Sequence, residues 1–414
     1  MKPKLLVLAS TFPGTPGDGT PAFVLDLALQ QAKDFEVTVI TPMVPGAALA
    51  QQIASADSST TIQVVRYRYF LKRWEDLAHG AILDNLKARK SRLIQVPFLM
   101  LGLWRAIRAQ VATSTPAAIH AHWVIPQGVI ATLAAPSVPL LVTTHGGDIY
   151  ALNARPILRL KKWVFKRAAA ITTVNFQMKS RLVELGLPET KVSVLPMGVD
   201  TATVGAIAAN ATKKPRQLLV VGRLVEKKGI EYLFEALAAL RKKGIDVGQT
   251  IVIGDGPIRP QLEDLAATLP VTFLGQRGRA EVLQAIAESE IMLIPSVTAA
   301  NGDQEGLPVT LLEGGAGQIC VIASNLPGID EVIVTGQSGI LVPQRNSTAL
   351  AEALEKAMAD PALRSKLALG IANSVKRFDI ATIGAGYNAV VNGMLGRNTR
   401  LNKNANAAAK KAKN

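Results

Sequence analysis

Glu305 and Glu313 bracket seven mostly apolar residues in the stretch NGDQEGLPVTLLEGGAG (301–317). Glycines clear the space beside each acid: Gly306 after the first, and Gly314, Gly315 and Gly317 after the second. Pro308 suits the first turn of a helix, where its missing N–H costs nothing. Such a helix carries Glu313 about two turns beyond Glu305, up to roughly 12 Å away. An ionised carboxylate accepts paired hydroxyl donors, and this separation matches a ligand with one sugar at each end of a diphosphate. Taken alone, the pair also fits an ordinary helix with a solvated glutamate at either end.

Cations for a diphosphate lie in VGRLVEKKGIEYL (221–233). Arg223 sits at a strand end, and Lys228 lies five residues on, just before the next helix. A rigid guanidinium fork and a mobile ammonium at a helix N-terminus suit paired phosphates; two solvated cations are the plainer alternative. Asp-x-Asp occurs nowhere in the chain, so a metal-bridged diphosphate held by that motif has no support.

His145 follows a strand in TTHGGDIY, where a ligand-facing polar residue belongs, although a structural histidine also fits. His120 and His122 alternate in IHAHW, which points both to one side of a strand. A third zinc ligand at suitable spacing is missing, so no metal site is assigned. In STFPGTPGDGTPAF, Gly17, Gly19 and Ala22 fit the G-x-G-x-x-A pattern of dinucleotide binding. The second strand, however, ends VITPM without the acid that would hold a ribose. These glycines still let a phosphate or sugar approach backbone N–H groups. VIGDGPIRPQL, with Gly254, and FLGQRGRAEV, with Gln276 and Arg277, also follow strands.

All these residues lie just past short apolar runs rich in Val, Ile, Leu and Thr, the pattern of buried parallel strands. The first half predicts strands at 4–10, 35–41, 117–123, 139–145, 168–174 and 191–198, with helical stretches such as PAFVLDLALQQAK (21–33) between them. The second half predicts strands at 217–223, 248–256, 271–275, 291–296, 318–324 and 338–343. Alternation of this kind makes open α/β sheets covered by helices. The expected division is a first domain 1–200, a linker 201–216, a second domain 217–375, a helix 376–394 and a basic, disordered tail 395–414. Ligands of such sheets sit outside the carboxyl ends of the strands, so two facing domains would share a cleft.

The chain has 414 residues, 49% apolar and 19% charged, which suits two domains with substantial cores. A single cysteine, Cys320, excludes an intrachain disulfide and fits a reducing compartment. The run LLVLA near the N-terminus is short for a signal peptide. The longest greasy stretch, LIQVPFLMLGLW, has 12 residues, against about 20 for a membrane span. Net charge is +15, which attracts phosphate-rich partners or belongs to an ordinary basic surface.

Together, GRLVEKKG, GDGP, the spacing of Glu305 and Glu313, LPMGVD (195–200), HAHWVIPQG and HGGDIYAL resemble glycosyltransferase family 4. Those are retaining enzymes of GT-B fold, with two Rossmann-like, doubly wound α/β domains facing a central cleft. The resemblance runs from the glycine loop at 14–19 to about residue 360. It implies a hexosyltransferase with a nucleotide-sugar donor, UDP- or GDP-linked, and no metal or other cofactor. Catalytic roles fall on His145, Arg223, Lys228 and Glu305. Arg223 and Lys228 neutralise the diphosphate, Glu305 lies beside the transferred sugar, and His145 reaches that sugar across the cleft. Donor-binding roles fall on Gly17, Gly19, Gly254, Gln276, Arg277, Gly306, Leu307 and Glu313, the last holding the ribose. The resemblance also implies a last helix that crosses back to the first domain, and work in cell-envelope or exopolysaccharide synthesis.

Residues 66–108 carry ten basic residues against three acids, with aromatics interleaved, and ARPILRLKKWVFKR (154–167) adds six basic residues and no acid. Basic helices with aromatics suit an anionic membrane surface. The expected partners are therefore a glycan, lipid-linked or phosphorylated acceptor and the inner face of the cytoplasmic membrane. Nucleic acid is not expected, because these aromatics belong to apolar helices rather than to a stacking groove. The alternative function is a nucleotide-sugar epimerase of the same fold.

Overall fold

Strands without a water-compatible face must be covered on both sides, and the apolar runs of this chain form two such sheets. The computed structural model describes residues 1–15, 17–80 and 82–411, with side chains for all of these except 83, 84, 87 and 397–411. The first sheet holds β1 (Lys4–Leu8), β2 (Glu36–Pro42), β3 (Ala50–Ala54), β4 (Thr61–Tyr67), β5 (Ala118–His122), β6 (Leu140–Thr143), β7 (Ala170–Thr173) and β8 (Val192–Val194). Their order is β3-β4-β2-β1-β5-β6-β7-β8, parallel except for the β3–β4 pair. The sequence reading anticipates six of these strands and misses β3 and β4. The β3 segment AQQIA is polar and half exposed at the sheet edge, and β4 places its buried residues in alternation.

The second sheet holds β9 (Leu218–Val221), β10 (Thr250–Ile253), β11 (Val271–Gly275), β12 (Ile291–Ile294), β13 (Cys320–Ser324) and β14 (Ile340–Val342). All six were anticipated. Their order, β11-β10-β9-β12-β13-β14, is that of a doubly wound nucleotide-binding sheet. Its direction of winding reverses between β9 and β12, and that of the first sheet between β1 and β5. Crevices for ligands open at these two points, beyond the carboxyl ends of the strands. Cys320 is buried in β13.

The segment expected as a linker is instead a helix, Thr201–Ala209. The Asp200 carboxylate caps it, accepting from the Thr203 N–H at 2.9 Å. Val204 is buried with Leu312 and Ile286 in the core of the second domain. Alanine-rich composition and an N-terminal Asp are helix signals that outweigh the small, polar character of the stretch.

The last helix, Ile380–Lys411, leaves the second domain and packs on the first, against helix Phe23–Gln31. Tyr387 and Val391 are fully buried in the first domain's core, each contributing about 1.5–3 kcal/mol of burial. The Tyr387 hydroxyl donates to the Leu195 carbonyl at 2.7 Å. Gly384 permits the crossing, since a Cβ there would sit 2.4 Å from Gln30 Cβ. The helix continues to Lys411 through the stretch expected to be disordered, where Ala, Asn and Lys alternate and Ala and Lys favour helix. Residues 412–414 lie outside the described residues.

Candidate active site

The loop after β1 is shaped by Asp18. Its carboxylate accepts from the Thr20 N–H at 2.8 Å, from the Thr15 N–H at 3.2 Å and from the Gly14 N–H. Gly17 takes φ +83, a left-handed conformation that favours glycine. A Cβ on Gly19 would sit 2.3 Å from Gln276 Cγ. The room left by Gly19 is thus filled by a side chain of the second domain. Between the loops after β1 and β2 lies a cavity of about 230 Å³, whose lining includes Ser10, Thr11, Thr15, Asp18 and Thr20.

At the neighbouring strand end, β5 delivers His120 and His122 to one side, as alternation requires, and both are buried. His120 Nε2 lies 2.7 Å from Thr143 Oγ1. His122 Nδ1 lies 3.4 Å from His145 Nε2, and its own Nε2 has no partner. The rings of Phe23 and Trp123 pack against His145 with centroids 5.4 Å and 4.6 Å away. Burial pushes the imidazoles of His120 and His145 down to about 3 and that of His122 well below its ordinary value. All three are neutral at physiological pH, so His145 meets a ligand as a polar, uncharged ring.

In the second domain, Lys228 ends a short turn that Gly229 closes at φ +57 before helix Ile230–Lys242 begins. Its Nζ lies 3.3 Å from Glu305 Oε1. The lysine side chain lies against Gly222, where a Cβ would come within 3.1 Å of Nζ. Burial works against ionisation of Glu305, but Lys228 and Lys227 outweigh it and hold the carboxyl below its ordinary value. Arg223 follows β9 and is exposed. Gly254 is obligatory here: at φ +138, a Cβ would lie 1.9 Å from the Gly222 carbonyl oxygen.

Pro308 precedes helix Val309–Ala316, which carries Glu313. Burial pushes the Glu313 carboxyl up to about 7, against the pull of Arg279. Arg277, two residues before helix Arg279–Glu288, instead pairs with Glu281 of that helix at 3.2 Å, and Gln276 is exposed beside Gly19. Leu307 packs against both domains. Gly306 abuts the first domain: its carbonyl accepts from Asn175 Nδ2 at 2.7 Å. A Cβ on Gly146 would sit 2.7 Å from the Gln304 carbonyl oxygen. The fold therefore sets the Glu305 loop directly against the turn that carries His145, with Lys228 beside the carboxylate.

Residues 17–203 match the family described as Glycosyltransferase Family 4, and residues 207–370 match Glycosyl transferases group 1. The chain belongs to glycosyltransferase family 4. WcaL of Escherichia coli, named as a glycosyltransferase of colanic acid biosynthesis, is 31% identical over 60% of this chain and 63% of its own length. AmsK of Erwinia amylovora, an amylovoran biosynthesis glycosyltransferase, is 34% identical over 51% of this chain and 53% of its own. The chain thus spans between half and two-thirds of the length of these relatives. A sucrose-phosphate synthase from Thermosynechococcus elongatus superimposes with a TM-score of 0.75 over 96% of this chain and 100% of that chain, at 18% identity. HepE of Anabaena, crystallised with UDP and glucose, gives 0.66 over 94% and 99%, also at 18%. Likeness at such identity is one of fold, and the fold is GT-B.

Sequence reasoning about this glycosyltransferase-family chain missed the pairs that join distant segments. Arg279 reaches across the cleft to Asp26 at 2.7 Å, 253 residues away in the chain. Gln304 donates to Gln177 Oε1 at 3.1 Å, which also accepts from the Tyr150 hydroxyl. Asp148 escaped notice too, although HGGD is a short-range signal for a residue that folds back on its own turn.

Proposed function

We propose that this protein is a retaining glycosyltransferase that moves a hexosyl group from a UDP- or GDP-linked donor to a glycan or lipid-linked acceptor, without a bound metal, in cell-envelope or exopolysaccharide synthesis. The observation that carries the reading is the meeting of Lys228, ionised Glu305 and the His145 turn beyond the carboxyl ends of β9, β12 and β6. When the bond from the sugar C1 to the phosphate oxygen breaks, negative charge builds on the diphosphate. Lys228, largely buried, and Arg223, at the rim, would neutralise it. Glu305 would accept from sugar hydroxyls and stabilise the positive charge developing on the ring, and neutral His145 would bond a hydroxyl from the other side. The acceptor oxygen bonds to C1 on the same face while its proton passes to the departing phosphate. The named relatives are transferases and a synthase, which supports transfer over the epimerase alternative.

A thermal-shift panel of UDP, GDP and ADP, then of their hexose conjugates, tests the site. Arg223→Ala, Lys228→Ala and Glu313→Ala should each stay folded, and loss of a charge-stabilising group should lower turnover about 10²–10³-fold. Normal turnover by all three would mean the site is misplaced. A stable covalent glycosyl–protein adduct would overturn the same-face mechanism.

The acceptor reading rests on one surface. Among the described residues, no helix is long and apolar enough to cross a membrane. Helix Val96–Ser114 nevertheless turns Phe98, Leu101 and Trp104 outward at 49%, 41% and 39% exposure, next to Ile94 at 66%. Arg73, Arg105 and Arg108 are exposed around them, and Arg108 lies over the Trp104 ring at 5.9 Å. Not every basic residue of these segments faces out: Arg66 and Lys161 are buried, and the Lys87 side chain lies outside the described residues. An apolar stripe rimmed by arginines fits the headgroup zone of an anionic bilayer. Wild-type protein should float with anionic vesicles at low salt and lose binding in Phe98→Ser/Trp104→Ser. No flotation of the wild type refutes the membrane contact.

A further inference from the structure

Helix Arg155–Arg167 carries six basic residues, and Lys161 alone among them is buried, at 3% exposure. A buried ammonium is costly unless its protons are all used. Here each has an acceptor: the Asp148 carbonyl at 2.6 Å, the Ala151 carbonyl at 2.8 Å and Asn153 Oδ1 at 3.2 Å. Lys161 thereby binds the carboxyl end of the turn Gly146–Tyr150. Asp148, also buried, binds its amino end. One carboxylate oxygen accepts from the His145 N–H at 2.9 Å, and the other from the Val124 N–H at 3.0 Å. Three segments converge on these two side chains: the exit of β5, the exit of β6 and the helix 155–167. Gly146, next to His145, is the residue at that junction that abuts the Glu305 loop.

We propose that Lys161 and Asp148 form a bracket that fixes the place of the His145 ring, which makes Lys161 a positioning residue for glycosyl transfer. The value of the bracket for catalysis rests on the functional reading given above; its geometry does not. Lys161 touches no substrate position and acts only through the turn. Burial holds the Asp148 carboxyl up at about 6, against the N–H groups of His145 and Val124 and the charge of Lys161. The charged or titratable groups on elements packed around this turn are Lys161, His122 of β5, Arg181, which lies over the Tyr150 ring, and Glu305 across the cleft. Of these, Lys161 is the one whose charge lowers the Asp148 carboxyl. Its removal must raise that carboxyl further.

The test compares wild type with Lys161→Met, of similar length and uncharged, and with the isosteric Asp148→Asn, all as full chains. The chain has four histidines, so their ring C–H signals can be assigned and followed by NMR without any donor. The expected result is displaced His145 and His122 signals in both variants, with His79 unmoved. Turnover with the donor found in the nucleotide-sugar panel should fall at least tenfold in kcat, with KM for that donor within twofold. The acid limb of the kcat profile should move to higher pH in Lys161→Met and lose its step at about 6 in Asp148→Asn, leaving the lower limb of Glu305. Should Lys161→Met fail to fold, Asp148→Asn decides by the same readings. Unmoved His145 signals in a folded variant, or an acid limb at the wild-type position, overturn the bracket. Displaced signals in a protein whose wild type turns over no nucleotide sugar would instead sink the transferase reading and leave the bracket standing.

Discussion

Glu313 is an acid made reluctant by its surroundings. Its folded carboxyl sits at about 7, against an ordinary 4.5, because burial outweighs the attraction of Arg279. Between these values the folded protein holds a proton that the unfolded chain releases, so this group favours the fold at low pH and loses that contribution as pH rises through about 7. A ribose diol donates to a carboxylate better than to a carboxylic acid. Nucleoside diphosphate affinity, measured by calorimetry, should therefore rise as pH passes through 7, and Glu313→Gln should flatten that rise relative to wild type. An identical pH dependence in the two proteins would remove Glu313 from the ribose. The spacing of the two glutamates is visible in the sequence, as are Lys228 and His145, because each sits beside a glycine turn at a strand end. The environment of Glu313 is not visible: Arg279 and Asp26 meet there only after both domains have folded.

At the scale of elements, glycines mark where backbones touch and where they do not. Gly254 lies at φ +138 against the Gly222 carbonyl, so Gly254→Ala forces the turn beside Arg223 to shift. It should lower Tm by several degrees and weaken diphosphate binding more than tenfold. Gly205 is the control: it lies inside helix Thr201–Ala209, and a Cβ there meets nothing closer than 3.9 Å. Gly205→Ala should stabilise by about 0.5–1 kcal/mol, raising Tm by roughly 1–4 °C in differential scanning calorimetry. A Tm change of the same sign in both variants would contradict this account. The apolar runs identified every strand of the second sheet: burial on both faces leaves a continuous signal in the central β9, β12 and β13, and the half-exposed edge strand β11 still carries Val, Phe and Leu. The edge strand β3 carried no such signal, and helix 201–209 was hidden by residues too small to show an amphipathic pattern.

At the scale of the whole molecule, protonation sets the acid limit. Unfolding in mild acid charges His120, His122 and His145, three protons that the fold refuses, with His120 and His145 at about 3. Against them stand the raised carboxyls of Glu313 and Asp148, at about 7 and about 6, which take up two protons in the folded state. Burial raises the carboxyls of Asp26, Glu231 and Glu331 as well, so the acid limit is read from the histidines' own share: those three groups favour the unfolded chain as pH falls below their ordinary value. Urea midpoints should fall more steeply between pH 6.5 and 4.5 in wild type than in His120→Gln/His145→Gln; the same pH dependence in both would mean that the histidines are not kept neutral. The GT-B arrangement itself was legible from two runs of alternating strands, whereas the contacts that close the cleft were not. The returning helix adds a temporal constraint. Because Tyr387 and Val391 fill the amino-terminal core, a nascent chain cannot seal its first domain until the whole second domain has been made and this helix has left the ribosome. Until then, the amino-terminal domain waits, incompletely packed, for a helix made after its neighbour.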